Sequence, residues 1–81
     1  MTNGPLERIL AARLRQITQA RQLGLETLAK RAHVSETNVR RIRDGKHSPT
    51  LRTLQRLAKA LGVEPLLLLR EATELEESDR G

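Results

Sequence analysis

The 81-residue chain contains no aromatic residue and no cysteine. Neither disulfides nor thiolate-bound metal can therefore hold its fold together. The core has to come from leucine, isoleucine, valine and alanine, in a chain that buries only about 60 % of its unfolded surface. This length predicts one closely packed domain. The lack of aromatic rings also argues against single-stranded nucleic acid or loop RNA as a ligand, because their bases stack on such rings.

The sequence offers little for catalysis, metal binding or membrane insertion. Its two histidines, His33 and His47, both fall in predicted turns, without paired carboxylates or a glycine-rich phosphate loop. We therefore expect no enzymatic activity, no metal and no cofactor. No apolar run approaches the ~20 residues that cross a bilayer, and no secretory signal opens the chain. The expectation is a soluble cytoplasmic protein that makes no membrane contact.

Charge is distributed unevenly along the chain. Residues 1–61 contain thirteen lysines and arginines against four acidic residues, a net charge of +9, whereas residues 62–81 contain two against six, a net charge of −4. A basic body suits a polyanionic partner, and an acidic end avoids one. Charge alone does not distinguish nucleic-acid binding from a solvated basic surface.

Apolar residues recur at the spacing of one helical face in four successive segments, and Pro65 indicates the start of a fifth helix, which together predict an all-α fold of five helices. The first segment has its apolar positions at Leu6, Ile9, Leu10, Leu14 and Ile17. This helix is expected to end near Leu23 and Gly24, since glycine often ends a helix in the left-handed conformation. We expect residues 6–75 to form one domain and residues 76–81 an acidic, flexible tail.

Two short helices are predicted on either side of His33-Val34-Ser35. The apolar positions that should fill the seam between them are Leu28, Ala32, Val34, Val39 and Ile42, with the small Ala29 at the crossing. Ser35 is a preferred N-cap for the second helix, residues 36–44, and Gly45 ends it. Two short helices joined by such a turn make a helix-turn-helix unit, here formed by helices two and three.

Thr50 is a suitable N-cap for a fourth helix, which Gly62 ends. Its buried stripe is expected at Leu51, Leu54, Leu57, Ala58 and Leu61. Pro65 fits the first turn of a fifth helix, which should fray by Ser78.

The stretch from Leu14 to Leu69 resembles the lambda-repressor-like, Cro/C1-type (XRE) helix-turn-helix family. Within it, LAKRAHVSETNVRRIRDGKHSPTLRTLQRLAKALGV follows the family pattern almost position by position. His33 stands where the family often has glycine. Gly24-Leu25 replaces a Ser-Gln pair whose glutamine touches a phosphate, so that contact is not carried over. The resemblance implies a sequence-specific transcriptional regulator that binds double-stranded DNA through the helix from Glu36 to Asp44. Of the regulatory roles, the expected one is that of a repressor.

Geometry and the resemblance together indicate which residues read bases. At about 100° per residue, Thr37, Arg41 and Asp44 lie opposite Val39 and Ile42. The resemblance places Glu36, Thr37 and Arg41 at base-reading positions near the start of the recognition helix. Arg41 suits guanine O6 and N7, and Thr37 suits a thymine methyl group or a nearby phosphate. Glu36 suits a cytosine amino group, or serves only the helix dipole.

Phosphate contacts, which position a protein without reading sequence, are expected around the third helix and the loop after it. The candidates are Ser35, Asn38, Arg40, Arg43, Lys46, His47 and Arg52. Of these, Lys46 and Arg52 are the strongest. Arg13, Arg15, Arg56 and Lys59 are assigned only to solubility.

Four consecutive leucines predict a homodimer. Leu66 to Leu69 would cover most of a helix circumference, and the family pattern turns Leu68 and Leu69 inward. Leu66 and Leu67 would then form the dimer interface and set two recognition helices about 34 Å apart on a near-palindromic operator. The alternative is that one of this pair packs beneath Leu6, Ile9 and Leu10.

A second functional reading also remains open at this point. Antitoxins of toxin–antitoxin pairs and restriction-modification controller proteins share this fold and size. Such a protein would bind DNA and also a protein partner. The acidic segment from Glu71 to Asp79 would then dock a basic toxin; the alternative is that this segment is a disordered, solubilising end.

Overall fold

The computed structural model describes residues 4–70. They form four α-helices and a short 3₁₀ helix: α1 (Pro5–Ala20), α2 (Leu25–Ala32), α3 (Glu36–Arg43), α4 (Leu51–Leu61) and the 3₁₀ helix Pro65–Leu69. The predicted all-α class is confirmed, and no strand occurs between residues 4 and 70. The predicted domain end at residue 75 and the tail over residues 76–81 lie outside the described residues.

One cluster of aliphatic side chains joins all five elements. Its buried members are Leu10, Leu14, Leu28, Ala29, Ala32, Val39, Ile42, Leu54, Leu57, Ala58, Leu61 and Leu68. α2 packs against α3 and α4, while α1 packs against α3 and the 3₁₀ helix. The seam predicted between α2 and α3 is therefore part of a common core. None of the described helices is both long and apolar enough to span a bilayer.

Two leucines predicted for the core are instead exposed. Leu6 is 55 % exposed and Leu51 is 78 % exposed. Both lie in the first turn of their helices, and Leu51 lies about 60° around the axis from Leu54. In both helices, the apolar stripe therefore begins before the point at which neighbouring helices cover it.

All four α-helices end in the same paired hydrogen bonds, the Schellman motif. At the end of α2, for example, the Val34 N–H donates to the Ala29 carbonyl and the His33 N–H to the Lys30 carbonyl, at 3.0 and 3.3 Å. The residues with left-handed backbone are Gln22, His33, Gly45 and Gly62, with φ of 52°, 60°, 75° and 72°.

These ends correct two predicted helix boundaries. α1 ends at Ala20, and its left-handed residue is Gln22 rather than Gly24. Gly24 has φ −73° and begins α2 as its N-cap. α3 ends at Arg43, with Asp44 as its C-cap.

The predicted fifth helix is a 3₁₀ helix over the described residues. It steps by about 120° per residue instead of 100°, and such helices are short. Arg70 then adopts an extended conformation and ends it. Leu68 is buried and Leu69 half-buried, as expected, whereas Leu66 is 70 % exposed. The expected continuation to Ser78 lies outside the described residues.

Candidate nucleic-acid interface

α3 is fixed at both ends and along one side. Ser35 Oγ accepts a hydrogen bond from the Asn38 N–H at 3.1 Å, as expected of an N-cap. At the other end, left-handed Gly45 lets the Lys46 N–H donate to the Arg41 carbonyl at 2.9 Å. Val39 and Ile42 are completely buried. The caps thus set the length of α3, and the core sets its rotation about its own axis.

The three residues predicted to read bases all lie exposed on α3. Thr37 and Arg41 are one turn apart, on the side away from Val39 and Ile42. The Arg41 side chain forms no hydrogen bond and no ion pair within residues 4–70. No group among those residues therefore competes with an external ligand for its guanidinium. That Glu36, Thr37 and Arg41 contact bases stays a prediction.

The three arginines of α3 have different surroundings. Arg40 Nη2 lies 2.8 Å from Glu36 Oε2. Arg43 lies at the end of the helix, with Nη2 3.0 Å and Nε 3.1 Å from Asp44 Oδ1. Only Arg41, among these three, has no carboxylate partner in the described part of the chain. Sequence reasoning missed both pairs, although a glutamate four residues before an arginine is a recognisable signal on a helix.

The residues predicted to bind phosphate surround α3 in sequence. Ser35 and Asn38 form the N-cap hydrogen bond, in which the Ser35 oxygen accepts and its hydroxyl proton remains free to donate. Lys46 and half-buried His47 lie in the loop after α3, and Arg52 lies in the first turn of α4. Lys46 and Arg52 are exposed and make no side-chain polar contact within residues 4–70.

Four other arginines hold backbone carbonyls of distant segments. Arg13 Nε donates to the Arg70 carbonyl at 2.7 Å, and Arg15 Nη1 donates to the Arg43 carbonyl at 2.8 Å. Arg21 donates to the Leu61 carbonyl, and Arg56 donates to the His33 carbonyl at 3.4 Å. Each carbonyl lies at or just after the end of a helix, where intrahelical donors run out.

These contacts correct the assignment of Arg13, Arg15 and Arg56 to solubility alone. Their partners lie 57, 28 and 23 residues away in sequence, so no local sequence pattern predicts these contacts. Part of the basic charge of residues 1–61 is thus used inside the fold. Among the described residues, no group of three or more histidine, aspartate or glutamate side chains is placed to hold a metal ion.

The sequence matches the helix-turn-helix domain family over residues 9–75. It is 45 % identical over 58 residues to the HTH-type transcriptional regulator PrtR of Pseudomonas aeruginosa, a match that covers 72 % of this chain and 22 % of that relative. The chain thus spans about a fifth of the length of this curated relative.

Two solved structures have a similar fold. The crystal structure of hypothetical transcription factor NHTF from Neisseria has a TM-score of 0.83 at 25 % identity, over 89 % of this chain and 83 % of that chain. The restriction-modification controller protein C.AhdI from Aeromonas hydrophila has a TM-score of 0.71 at 32 % identity, over 74 % and 91 %. These similarities confirm the resemblance found in the sequence. The chain belongs to the helix-turn-helix domain family, as an XRE-like member of it.

Proposed function

We propose that the protein is a transcriptional repressor that binds a near-palindromic double-stranded operator as a homodimer in the cytoplasm. The observation that carries this proposal is the outward face of α3, opposite buried Val39 and Ile42. It presents Thr37 and Arg41, whose side chain has no polar partner within residues 4–70. The major groove of B-DNA is about 12 Å wide and admits one α-helix. The DNA-binding domain in this proposal covers residues 6–75.

Three exposed residues of α3 each have a base that suits their chemistry. Arg41 donates two parallel hydrogen bonds to O6 and N7 of a guanine. Thr37 lies one turn earlier and contacts a thymine methyl group. Glu36 accepts from the amino group of a cytosine. Together they read three neighbouring positions in each half-site.

Phosphate contacts hold α3 in the groove at both of its ends. The Ser35 hydroxyl and the Asn38 amide donate at the N-terminal end. Lys46, His47 and Arg52 supply contacts from the other end, and Arg43 adds a further cation there. Lys46 and Arg52 are the principal anchors, because neither is committed to a partner within residues 4–70.

An exposed apolar surface at the 3₁₀ helix supports the proposed dimer. Leu66 is 70 % exposed beside half-buried Leu67, and both line a depression of about 380 Å³ whose other walls include Val63, Glu64 and Arg70. The side chains of Glu64 and Arg70 have no partner in the described residues. A two-fold axis midway between Glu64 and Arg70 would set Glu64 of one copy opposite Arg70 of the other. Apolar and charged groups would then both be matched.

Selection of bound fragments from a pool of random duplexes tests the proposal. The expected result is one enriched motif with two related half-sites centred about 10 base pairs apart, one helical turn. Recovery of all duplexes in equal amounts would refute sequence-specific binding. An enriched single half-site without symmetry would refute only the dimer.

The similarity to C.AhdI favours a second candidate function, that of a restriction-modification controller. Such a protein would bind the same kind of operator and would differ in the genes it regulates. The selected site separates the two roles, because a controller's site should lie upstream of its own gene beside a methyltransferase gene. A site elsewhere would leave the repressor role alone.

A further inference from the structure

An ion pair runs along the exposed side of α3. The Arg40 guanidinium meets the Glu36 carboxylate at 2.8 Å, and the two side chains are 52 and 44 % exposed. The pair with the same spacing on α2, Lys30 and Glu26, is 3.5 Å apart, with side chains 76 and 70 % exposed. The pair on α3 therefore has the length of a charge-assisted hydrogen bond. The pair on α2 is a looser surface contact.

This pairing matters because of where Glu36 lies. Glu36 is the first residue of α3, at the end of a recognition helix that approaches base edges. A bare carboxylate there would enter a groove bordered by phosphates of the same sign, at a cost in binding. Arg40 cancels that charge. An ionised carboxylate has about four acceptor sites, so the bond to Arg40 leaves others free.

We infer that Arg40 is a positioning residue for Glu36, and that the two enter the major groove as a unit in which Glu36 accepts from a cytosine amino group. This inference rests on the proposed function and replaces the phosphate contact predicted for Arg40. An Arg40 drawn away to a phosphate would leave the Glu36 charge uncompensated in the groove. Arg41 has no carboxylate partner within residues 4–70 and makes its contact independently.

The test compares base preferences selected from random duplexes by the wild type and by variants of the pair. Glu36→Ala identifies the base pair that Glu36 reads. Arg40→Met should lower the preference for cytosine at that same base pair by about tenfold, within the range for a specific base contact. Preference elsewhere should stay as in the wild type. Arg40→Lys, which keeps the charge, should restore most of the preference.

The double variant and a matched control complete the design. Glu36→Ala combined with Arg40→Met should lose no more preference at that position than Glu36→Ala alone, because both remove one unit. Lys30→Met removes the cation of the α2 pair and changes the net charge equally, and it should leave every preference unchanged. Both Arg40 and Glu36 are exposed, so circular dichroism should show an intact fold.

The outcomes separate this inference from the function on which it rests. If Arg40→Met weakens all duplexes equally and leaves the preferences unchanged, Arg40 is a phosphate contact and the inference is wrong. It is also wrong if Glu36→Ala alters no base preference. A wild type that selects no motif would refute the proposed function as well.

Discussion

Arg15 of α1 donates a hydrogen bond from Nη1 to the carbonyl oxygen of Arg43, the last residue of α3, at 2.8 Å. The Gly45 and Lys46 N–H groups satisfy the carbonyls of Ile42 and Arg41. The Arg43 carbonyl is left over, and Arg15 provides its donor. A guanidinium at this point also complements the negative end of the helix dipole. α3 is thereby attached to α1 at its C-terminal end.

Removing this attachment should destabilise the fold. Arg15→Ala is expected to lower the free energy of unfolding by about 1 kcal/mol, the usual net contribution of one hydrogen bond. Urea denaturation followed by circular dichroism measures the change. Arg31→Ala is the control, since Arg31 is exposed and has no polar partner within residues 4–70. Equal stability of the two variants would show that the hydrogen bond contributes nothing.

At the left-handed residues after α2 and α4, two substitutions should change the free energy of unfolding in opposite directions. His33→Gly should raise the free energy of unfolding by about 0.5 kcal/mol, because glycine adopts φ 60° without the steric cost borne by histidine. Gly62→Ala should lower it by about 1 kcal/mol. A Cβ at Gly62 would meet only Arg21 Nη1, at 4.0 Å, so that loss arises from φ 72° alone. Thermal melting measures both, and stabilisation by Gly62→Ala would contradict this reasoning.

The sequence predicts the helices better than their ends. Helix spacing located α1 to α4, and Gly45 and Gly62 are the left-handed residues after α3 and α4, as predicted. Gln22 was not foreseen, because a non-glycine residue in the left-handed region leaves no compositional signal. The helix type predicted after Pro65 was also wrong, because a run of leucines suits an α-helix and a 3₁₀ helix equally.

Parts of the candidate site were likewise predictable from the sequence, and parts were not. Which side of α3 faces outward followed from the positions of Val39 and Ile42, since buried residues fix the rotation of a helix. The roles of Arg13 and Arg15 did not follow, because their partners become neighbours only after the helices have packed. Both side chains count toward the basic charge of the sequence, but in the structure they donate hydrogen bonds to backbone carbonyls.

Arg41 should carry a specific contact. Arg41→Ala is expected to weaken binding to the selected site by about 1–3 kcal/mol and to relax preference at one base pair. Fluorescence anisotropy on the selected duplex and on single-base variants measures both effects. An equal loss on every duplex would assign Arg41 to the phosphates instead.

Phosphate contacts should make binding steeply dependent on salt. A dimer that neutralises roughly 6–10 phosphates should lose about 10³–10⁵-fold in affinity between 50 and 200 mM salt. Lys46→Ala should weaken specific and random duplexes alike, and it should reduce the salt slope by about one for each lysine removed. Titrations at several salt concentrations test this. A slope unchanged by Lys46→Ala would remove Lys46 from the interface.

Leu66 should control association. Leu66→Glu is expected to raise the dissociation constant of the dimer by about 100-fold, since each copy loses a buried leucine and gains a charge in its place. Leu51→Glu is the matched control, because Leu51 is equally apolar, 78 % exposed, and at the other end of α4. Analytical ultracentrifugation measures both. A wild type that sediments as a monomer at tens of micromolar, free and on DNA, would rule out the dimer.

Of the eight residues of α3, only Val39 and Ile42 are buried, and Ser35 and Gly45, which delimit the helix, lie outside it. The outward positions therefore contribute little to folding. New side chains placed there would be displayed on an unchanged backbone. If α3 reads an operator as proposed, a duplicated copy of the gene would need only a few altered codons in this segment to acquire a different one. None of those changes would first have to be compensated in the core.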